Sequence, residues 1–311
     1  MYHCFGCGVG GNVFTFLREY ENFSFQESME FLAGRVGIDL PKKEMTQQQR
    51  LDADERAILL EMNREAATYF YAQLRMENGS HGMKYLLNRE LTTETITKFG
   101  IGYSNKTSND LYQYLKKKGY TDQVLKHSGL VSIDEARGGY DKFWNRIMFP
   151  IMDANSHVIG FGGRVMGEGE PKYLNSQETR VFDKGRTLYG LNIARTSRRR
   201  GFLLCEGYMD VIALHQAGFN NAIASLGTAF TQGHANLIKR YTQEVYLTFD
   251  SDQAGVNATL RAIPILKASE ITTKIIHLEP YKDPDDYIKN LGAQAFEQVI
   301  QQAENSFLFQ I

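Results

Sequence analysis

Carboxylates set directly behind apolar runs are the residues in this sequence best suited to do chemistry. Glu206 and Asp210 follow Leu203-Leu204-Cys205, and Asp250 and Asp252 follow Leu247-Thr248-Phe249 and precede Gly255. A third acidic group, Asp283-Pro284-Asp285-Asp286, lies farther on. An ionised carboxylate is expensive to bury without a partner, so acids at the edge of a core need a compensating charge. Hard divalent cations take oxygen ligands, and Mg²⁺ keeps waters and substrate phosphates beside a few carboxylates. Asp-x-Asp places both side chains on one side of an extended segment, so both can face one ion. Aspartate and glycine also form turns and helix caps, which would account for any one of these groups. Three of them at successive strand ends favour a magnesium site.

The elements around these acids explain how they could meet. After the first run come a helical stretch (211–218), a strand (221–225) and a helix (232–241). After the second come a helix (254–267) and a strand (272–278). Such alternation predicts a parallel sheet with right-handed crossovers, an α/β arrangement. Glu206, Asp250 and Asp252 then fall at carboxyl ends of strands, where open sheets bind ligands. The 283–286 group follows the fourth strand and can reach the same edge.

Glu206-Gly207 after one strand, Asp250-x-Asp252-x-x-Gly255 after another, and Lys282-Asp283-Pro284-Asp285-Asp286 later resemble a Toprim domain. That domain is shared by bacterial primases, type IA and II topoisomerases and some nucleases. The string Glu206-Gly207-Tyr208-Met209-Asp210-Val211 is more specific and resembles the bacterial DnaG-type primases.

Composition bounds the alternatives. A chain of 311 residues has room for two or more domains, and no stretch approaches a membrane span or a secretory signal. Three cysteines make no disulfide framework, and Cys4-x-x-Cys7 reads as metal or redox chemistry in a reducing cytosol. A net charge of −1 argues against a general polyanion binder. Its distribution does not: between Arg164 and Arg200 nine basic residues stand against four acidic ones. A basic segment ahead of an acidic metal site suits nucleic-acid and nucleotide phosphates.

At the N-terminus, Tyr2-His3-Cys4-Phe5-Gly6-Cys7-Gly8 looks like half of a zinc ribbon. A structural Zn²⁺ needs four ligands, normally two such pairs. In DnaG-type primases a Cys-x-x-His precedes this Cys-x-x-Cys, so the chain is read as starting inside the module. Cys4 and Cys7 are then ligands of a half site that holds zinc poorly, with His3 a bystander. An idle or reactive thiol pair is the other reading.

Residues 13–34 are apolar with helical spacing and complete that module; 41–50 reads as a polar linker. A long helix is expected from Ala53 to Met76, with Leu59, Met62, Ala66 and Phe70 on one face. A short helix over 81–91, a capped helix start at Thr92 and a strand over 99–103 follow. Tyr69-Phe70-Tyr71 is read as packing. Asn145 to Ile151 alternates as a strand with Arg146 standing out, and Val158 to Arg164 is a strand ending in glycines. Gly162-Gly163-Arg164 and Pro171-Lys172-Tyr173-Leu174-Asn175-Ser176 resemble the basic-groove motifs of the DnaG core. That resemblance makes Arg146, Arg164, Lys172, Tyr173, Asn175 and Lys184 the candidate template and nucleotide contacts. Trp144 is read as core or groove wall, and the run Arg195 to Arg200 as a solvated helix end or turn. Ser225 to Ala229 offers amides and hydroxyls near the acids. His215 and His234 receive no catalytic role, and 296–311 is helical by spacing.

The resemblance implies a Toprim-type parallel sheet flanked by helices (201–290). Before it come a partial zinc ribbon (1–40), a linker (41–52) and a mixed α+β basic subdomain (53–200); the start of a helical subdomain (291–311) comes after. It implies synthesis of RNA primers on single-stranded DNA from ribonucleoside triphosphates, in the cytoplasm, with a replicative helicase as partner through a further C-terminal domain and no membrane. Asp250 and Asp252 would hold Mg²⁺ or Mn²⁺, with Asp283 and Asp285 contributing. Glu206 is a further ligand or the general base, and Asp210, one helical turn beyond, faces the same pocket. A Toprim nuclease or topoisomerase would use the same acids to cleave. A single-strand-binding, helicase-recruiting module would have no use for them.

Overall fold

The computed structural model describes residues 1–3, 5–6, 10–20, 23, 25–38, 47–134 and 138–306. The expected zinc ligands Cys4 and Cys7 lie outside the described residues, as do 41–46 of the expected linker and 307–311. The chain divides into two compact units, Met1–Ala53 and Asp54–Ile311.

In the first unit, β1 (Tyr2–His3) pairs antiparallel with β2 (Gly10–Gly11). The helices α1 (Val13–Tyr20) and α2 (Phe25–Val36) follow, with Leu17 and Ala33 buried. The Asn12 side chain accepts from the Thr15 N–H at 2.9 Å, which starts α1.

Helix α3 (Gln47–Arg75) begins before the expected Ala53, so the polar residues 47–52 are helical rather than linker. Leu59, Met62, Ala66, Phe70 and Leu74 recur every three or four residues along it and are all buried. Each of the larger side chains contributes about 1.5–3 kcal/mol relative to exposure. Next come α4 (Ser80–Asn88) and α5 (Thr93–Lys98); Thr92 Oγ1 accepts the Thr95 N–H at the start of α5. The strand expected over 99–103 shrinks to β3 (Gly102–Ser104), because Phe99 is the last residue wound onto α5. Two short helices, α6 (Asp110–Lys117) and α7 (Asp122–Lys126), precede the antiparallel pair β4 (Val131–Asp134) and β5 (Gly138–Asp141). Strands β6 (Arg146–Met152), β7 (Val158–Val165) and β8 (Tyr173–Asn175) then build an antiparallel sheet in the order β3-β6-β7-β8. Its register sets Arg164 of β7 between Ile147 of β6 and Tyr173 of β8.

Trp144 is 55% exposed rather than core, because the buried Phe143 beside it occupies the inward position. As the chain's single tryptophan, it makes a simple prediction. The intrinsic fluorescence of the folded protein should be water-like and readily quenched by iodide, and a blue-shifted, protected emission would contradict the exposure described.

After the short helix α8 (Leu191–Ala194) the parallel part begins. It runs β9 (Phe202–Cys205), α9 (Tyr208–Gln216), β10 (Ala222–Ala224), α10 (Gln232–Lys239), β11 (Glu244–Leu247), α11 (Gln253–Ala268) and β12 (Thr272–Ile275). The sheet order is β10-β9-β11-β12, all parallel. Every residue of β9, β10 and β11 is buried, as strands covered on both faces require. Helix α12 (Pro284–Gln301) is broken at Gly292 (φ 78°, ψ 174°). The helical spacing beyond Phe296 gives way to β13 (Glu304–Asn305), antiparallel on the β12 edge. The basic run is the solvated turn expected, following α8 with Arg198, Arg199 and Arg200 exposed, Arg199 pairing with Glu297 at 2.7 Å and Arg200 with Glu244 at 2.5 Å.

Candidate active site at the carboxyl edge of the parallel sheet

The chain leaves β9 to one side, towards β10, and returns across it to β11, so the sheet's switch point lies between β9 and β11. Open α/β sheets bind ligands at that crevice. Glu206 stands immediately past β9 and Asp250 three residues past β11, which places both there. They touch: Glu206 Oε1 accepts the Asp250 N–H at 3.1 Å.

Burial raises the Asp250 carboxyl to about 6, helped by the charges of Glu206 and Asp283. Glu206 is raised mainly by burial, and Asp210 far more so, again by burial first and then by Asp283, Asp250 and Asp285. Asp210 Oδ2 accepts the Gly207 N–H at 3.1 Å, closing the first turn of α9. Asp252 caps α11 and also reaches towards Lys282. Its Oδ1 accepts from the Ala254 and Gly255 N–H groups at the start of α11, while Oδ2 lies 3.8 Å from Lys282 Nζ. The same ammonium is 3.7 Å from Asp250 Oδ2, so the Asp-x-Asp pair does turn towards one cation. Asp283 caps α12 by accepting the Asp286 N–H at 2.8 Å.

Asp285 is buried, and its Oδ2 pairs with Lys289 at 2.7 Å and Arg89 at 3.1 Å. Arg89 follows α4, far away in sequence, and nothing in the local pattern marks it. Lys282 is legible in the sequence as the cation heading the acidic group, but its position between two aspartates is not.

All of these acids except Asp252, which stands outside the lining, border a pocket of about 280 Å³. Glu206, Asp210, Asp250, Asp283 and Asp285 face Arg89, Arg164, Lys172 and Lys282, with Tyr173, Asn175, Ser225 and Gly227 between them. Arg164 donates to the Tyr173 hydroxyl at 2.8 Å and lies over the Tyr85 and Tyr173 rings. Two expected contacts are not among the lining. Arg146, expected to stand out, is 6% exposed; its guanidinium donates to the Gly163 and Pro171 carbonyls at 3.1 and 2.9 Å. It braces the end of β7 because the first residue of β6 points inward. Lys184 lies in the turn Lys184–Arg186 beside α10, where its carbonyl accepts from His234 Nε2.

The donor set fits a hard divalent cation: crowded carboxylates raised above their usual range, with Lys282 the cation set between Asp250 and Asp252. Among the described residues, no three His, Cys, Asp or Glu side chains close on one point as a self-sufficient metal cage.

His215 is structural. Buried on α9, it bonds to the Ala222 carbonyl through Nε2 at 2.9 Å, and burial lowers it to about 4. The unfolded chain takes up a proton near 6.5 that the folded chain refuses, so stability falls as pH drops from 6.5 towards 4. Over that interval, His215→Gln should erase up to about 3 kcal/mol of the pH dependence, read by urea unfolding. Parallel curves for the two proteins would refute it.

A glutamate after the first parallel strand, Asp-x-Asp after the third and an acidic helix start after the fourth define a Toprim-type site. Family profiles match in the same order: "CHC2 zinc finger" over residues 1–48, "DNA primase catalytic core, N-terminal domain" over 69–195 and "Toprim-like" over 203–288. The DNA primase of Clostridium acetobutylicum is 42% identical over 97% of this chain and 50% of its own length. The structure of the DnaG primase catalytic domain bound to ssDNA aligns with a TM-score of 0.75 at 36% identity, covering 83% of this chain and 82% of that one. The Aquifex aeolicus primase (zinc binding and RNA polymerase domains) aligns at 0.73 with 32% identity, covering 97% and 72%. The chain belongs to the DnaG family of bacterial DNA primases. It spans about half the length of the curated relatives it matches.

Proposed function

We propose that this chain carries the nucleotidyl-transfer centre of RNA primer synthesis on a single-stranded DNA template. The observation that carries the reading is one pocket bordered both by the acids of the parallel edge and by Arg164 and Tyr173 of the antiparallel sheet, with Lys172 just ahead of β8. A cleavage site needs the acids, and a strand-binding module needs the cations; templated transfer needs both.

Asp250 and Asp252 would hold Mg²⁺ or Mn²⁺, with Asp283 supplying further negative charge. The metal, when bound, neutralises charge on the transferring phosphoryl group and activates the attacking oxygen. Glu206, raised above its ordinary range, is placed to take the proton from the attacking 3′-hydroxyl as pyrophosphate leaves. Lys172 and Arg164 bind phosphates, while Arg164 and Tyr173 hold each other in orientation. Asp285, already paired with Arg89 and Lys289, anchors α12 to the residue after α4 and sits one step behind the ligands. Template, ribonucleoside triphosphates and the growing primer are the ligands of this centre. Zinc in the N-terminal module, a replicative helicase as partner and a cytoplasmic setting are what the family suggests. Among the described residues, no helix is long and apolar enough to cross a membrane.

The test is labelled-ribonucleotide incorporation on single-stranded DNA with Mg²⁺ or Mn²⁺, with and without a supplied RNA primer. Metal-dependent primer extension is expected. Template cleavage would replace this reading with the nuclease one, and strand binding without any chemistry would replace it with a binding module.

A further inference from the structure

We propose that Tyr208 and Asn175 form a positioning pair that sets the spacing between the cationic strands and the acidic sheet edge, and that Asn175 does not read the nucleotide. This rests on the polymerase reading above. Tyr208 is the first residue of α9, two past Glu206, and its ring leaves the parallel layer to enter the antiparallel one. There it stacks on Phe149 of β6 (5.1 Å, 10°) and meets Tyr189 edge-on (4.7 Å, 79°). The slot exists because residue 162 of β7 is glycine: a Cβ there would overlap the Tyr208 ring.

At the end of the slot the Tyr208 hydroxyl donates to Asn175 Oδ1 at 2.6 Å, and Asn175 Nδ2 donates to the Leu226 carbonyl at 2.6 Å. Only one orientation of the amide serves both partners, since a carbonyl needs a donor. One side chain thus ties three walls of the pocket. These are β8 with Tyr173, the start of α9 behind Glu206, and the loop after β10, whose Ser225 and Gly227 face the acids. The two bonds fix the Asn175 amide in one orientation between protein partners, leaving one N–H and one lone pair, and a slip in this link moves Glu206 relative to Arg164 and Lys172. Displacements of about 1 Å can lower a rate by up to about 10²-fold.

The experiment compares Tyr208→Phe, Asn175→Ala and the double variant in primer extension, with kcat and KM for the nucleotide measured separately. Hydrogen exchange over residues 225–228 is followed in parallel. Tyr208→Phe keeps the ring in its slot and removes only the hydroxyl. It should lower kcat by about tenfold or more while KM and single-strand affinity stay within about twofold. The double variant should be no worse than Asn175→Ala, because both substitutions break one link, and exchange at 225–228 should rise in each. An Asn175→Ala variant that raises KM by the same factor with or without the Tyr208 hydroxyl would overturn the proposal in favour of direct nucleotide contact. Unchanged exchange at 225–228 in Tyr208→Phe would overturn it as well. The exchange readout needs no turnover, so a wild-type protein that extends nothing would defeat the polymerase reading while the link was still being judged.

Discussion

Asp250→Asn should nearly abolish nucleotide incorporation and at the same time make the metal-free protein more stable. The activity loss follows from its place: Asp250 lies at the switch point, bonded to Glu206 through its own N–H and turned towards Lys282 beside Asp252. Losing several kcal/mol of metal-dependent stabilisation corresponds to roughly 10³-fold in rate. The stability gain follows from its carboxyl, raised from 3.8 to about 6 by burial and by the neighbouring Glu206 and Asp283. The ionised form is disfavoured in the folded chain. The penalty is therefore fully present above about pH 6 and disappears as pH falls towards 3.8. A rise of that size, discounted for partial exposure, corresponds to about 1–3 kcal/mol. Urea unfolding in chelator should show the variant ahead of wild type at about pH 7.5 and level with it near pH 4. Added Mg²⁺ should then narrow the gap at the higher pH by stabilising wild type alone. A variant that is both active and no more stable would remove Asp250 from the site.

Gly255→Ala should be nearly as damaging without touching an ionisable group. A Cβ at 255 would collide with the Asp250 carbonyl oxygen and stand 2.7 Å from its carbon. Both are backbone, so no side chain can turn aside, and the 250–252 loop has to move. That loop carries both aspartates, and the Gly255 N–H is one of the two groups that hold Asp252. An activity loss of about 10²-fold or more is expected from the displacement. The overpacking should cost about 1–3 kcal/mol, leaving the protein folded. Weaker Mn²⁺ binding by a folded protein would mark the loop as the cause. Wild-type activity would show that the loop tolerates the shift and that the glycine has another purpose.

The parts of this molecule that are legible in its sequence are those whose causes are local. An apolar run that stops at an acid and a glycine reads as a strand ending at a site because the burial penalty and the turn act within a few residues. Glu206, Asp250 and Asp252 can be found that way, and so can the buried stripe from Leu59 to Phe70. The inward turn of Arg146 cannot, because it depends on the carbonyls of Gly163 and Pro171 lying across the sheet. Arg89 has no motif at all: only packing brings the end of α4 against Asp285. The start of α3 is hidden because a polar helical turn and a polar linker have the same composition. Beyond Phe296 the helical spacing continues past the point where β12 offers an open edge, and pairing there wins over propensity.

The break in α12 at Gly292 has a mechanical meaning. No atom outside the neighbouring residues comes within 4 Å of where a Cβ would be, so the glycine serves backbone conformation rather than crowding. The half bearing Asp283 and Asp285 and the half bearing Phe296 are joined by Tyr287 resting on Phe296 at 5.7 Å, not by one rigid rod. Phe296 is also pressed against Phe219, behind α9. The two halves of α12 therefore meet their neighbours through separate contacts: Asp285 ties the first to Arg89, and Phe296 ties the second to Phe219.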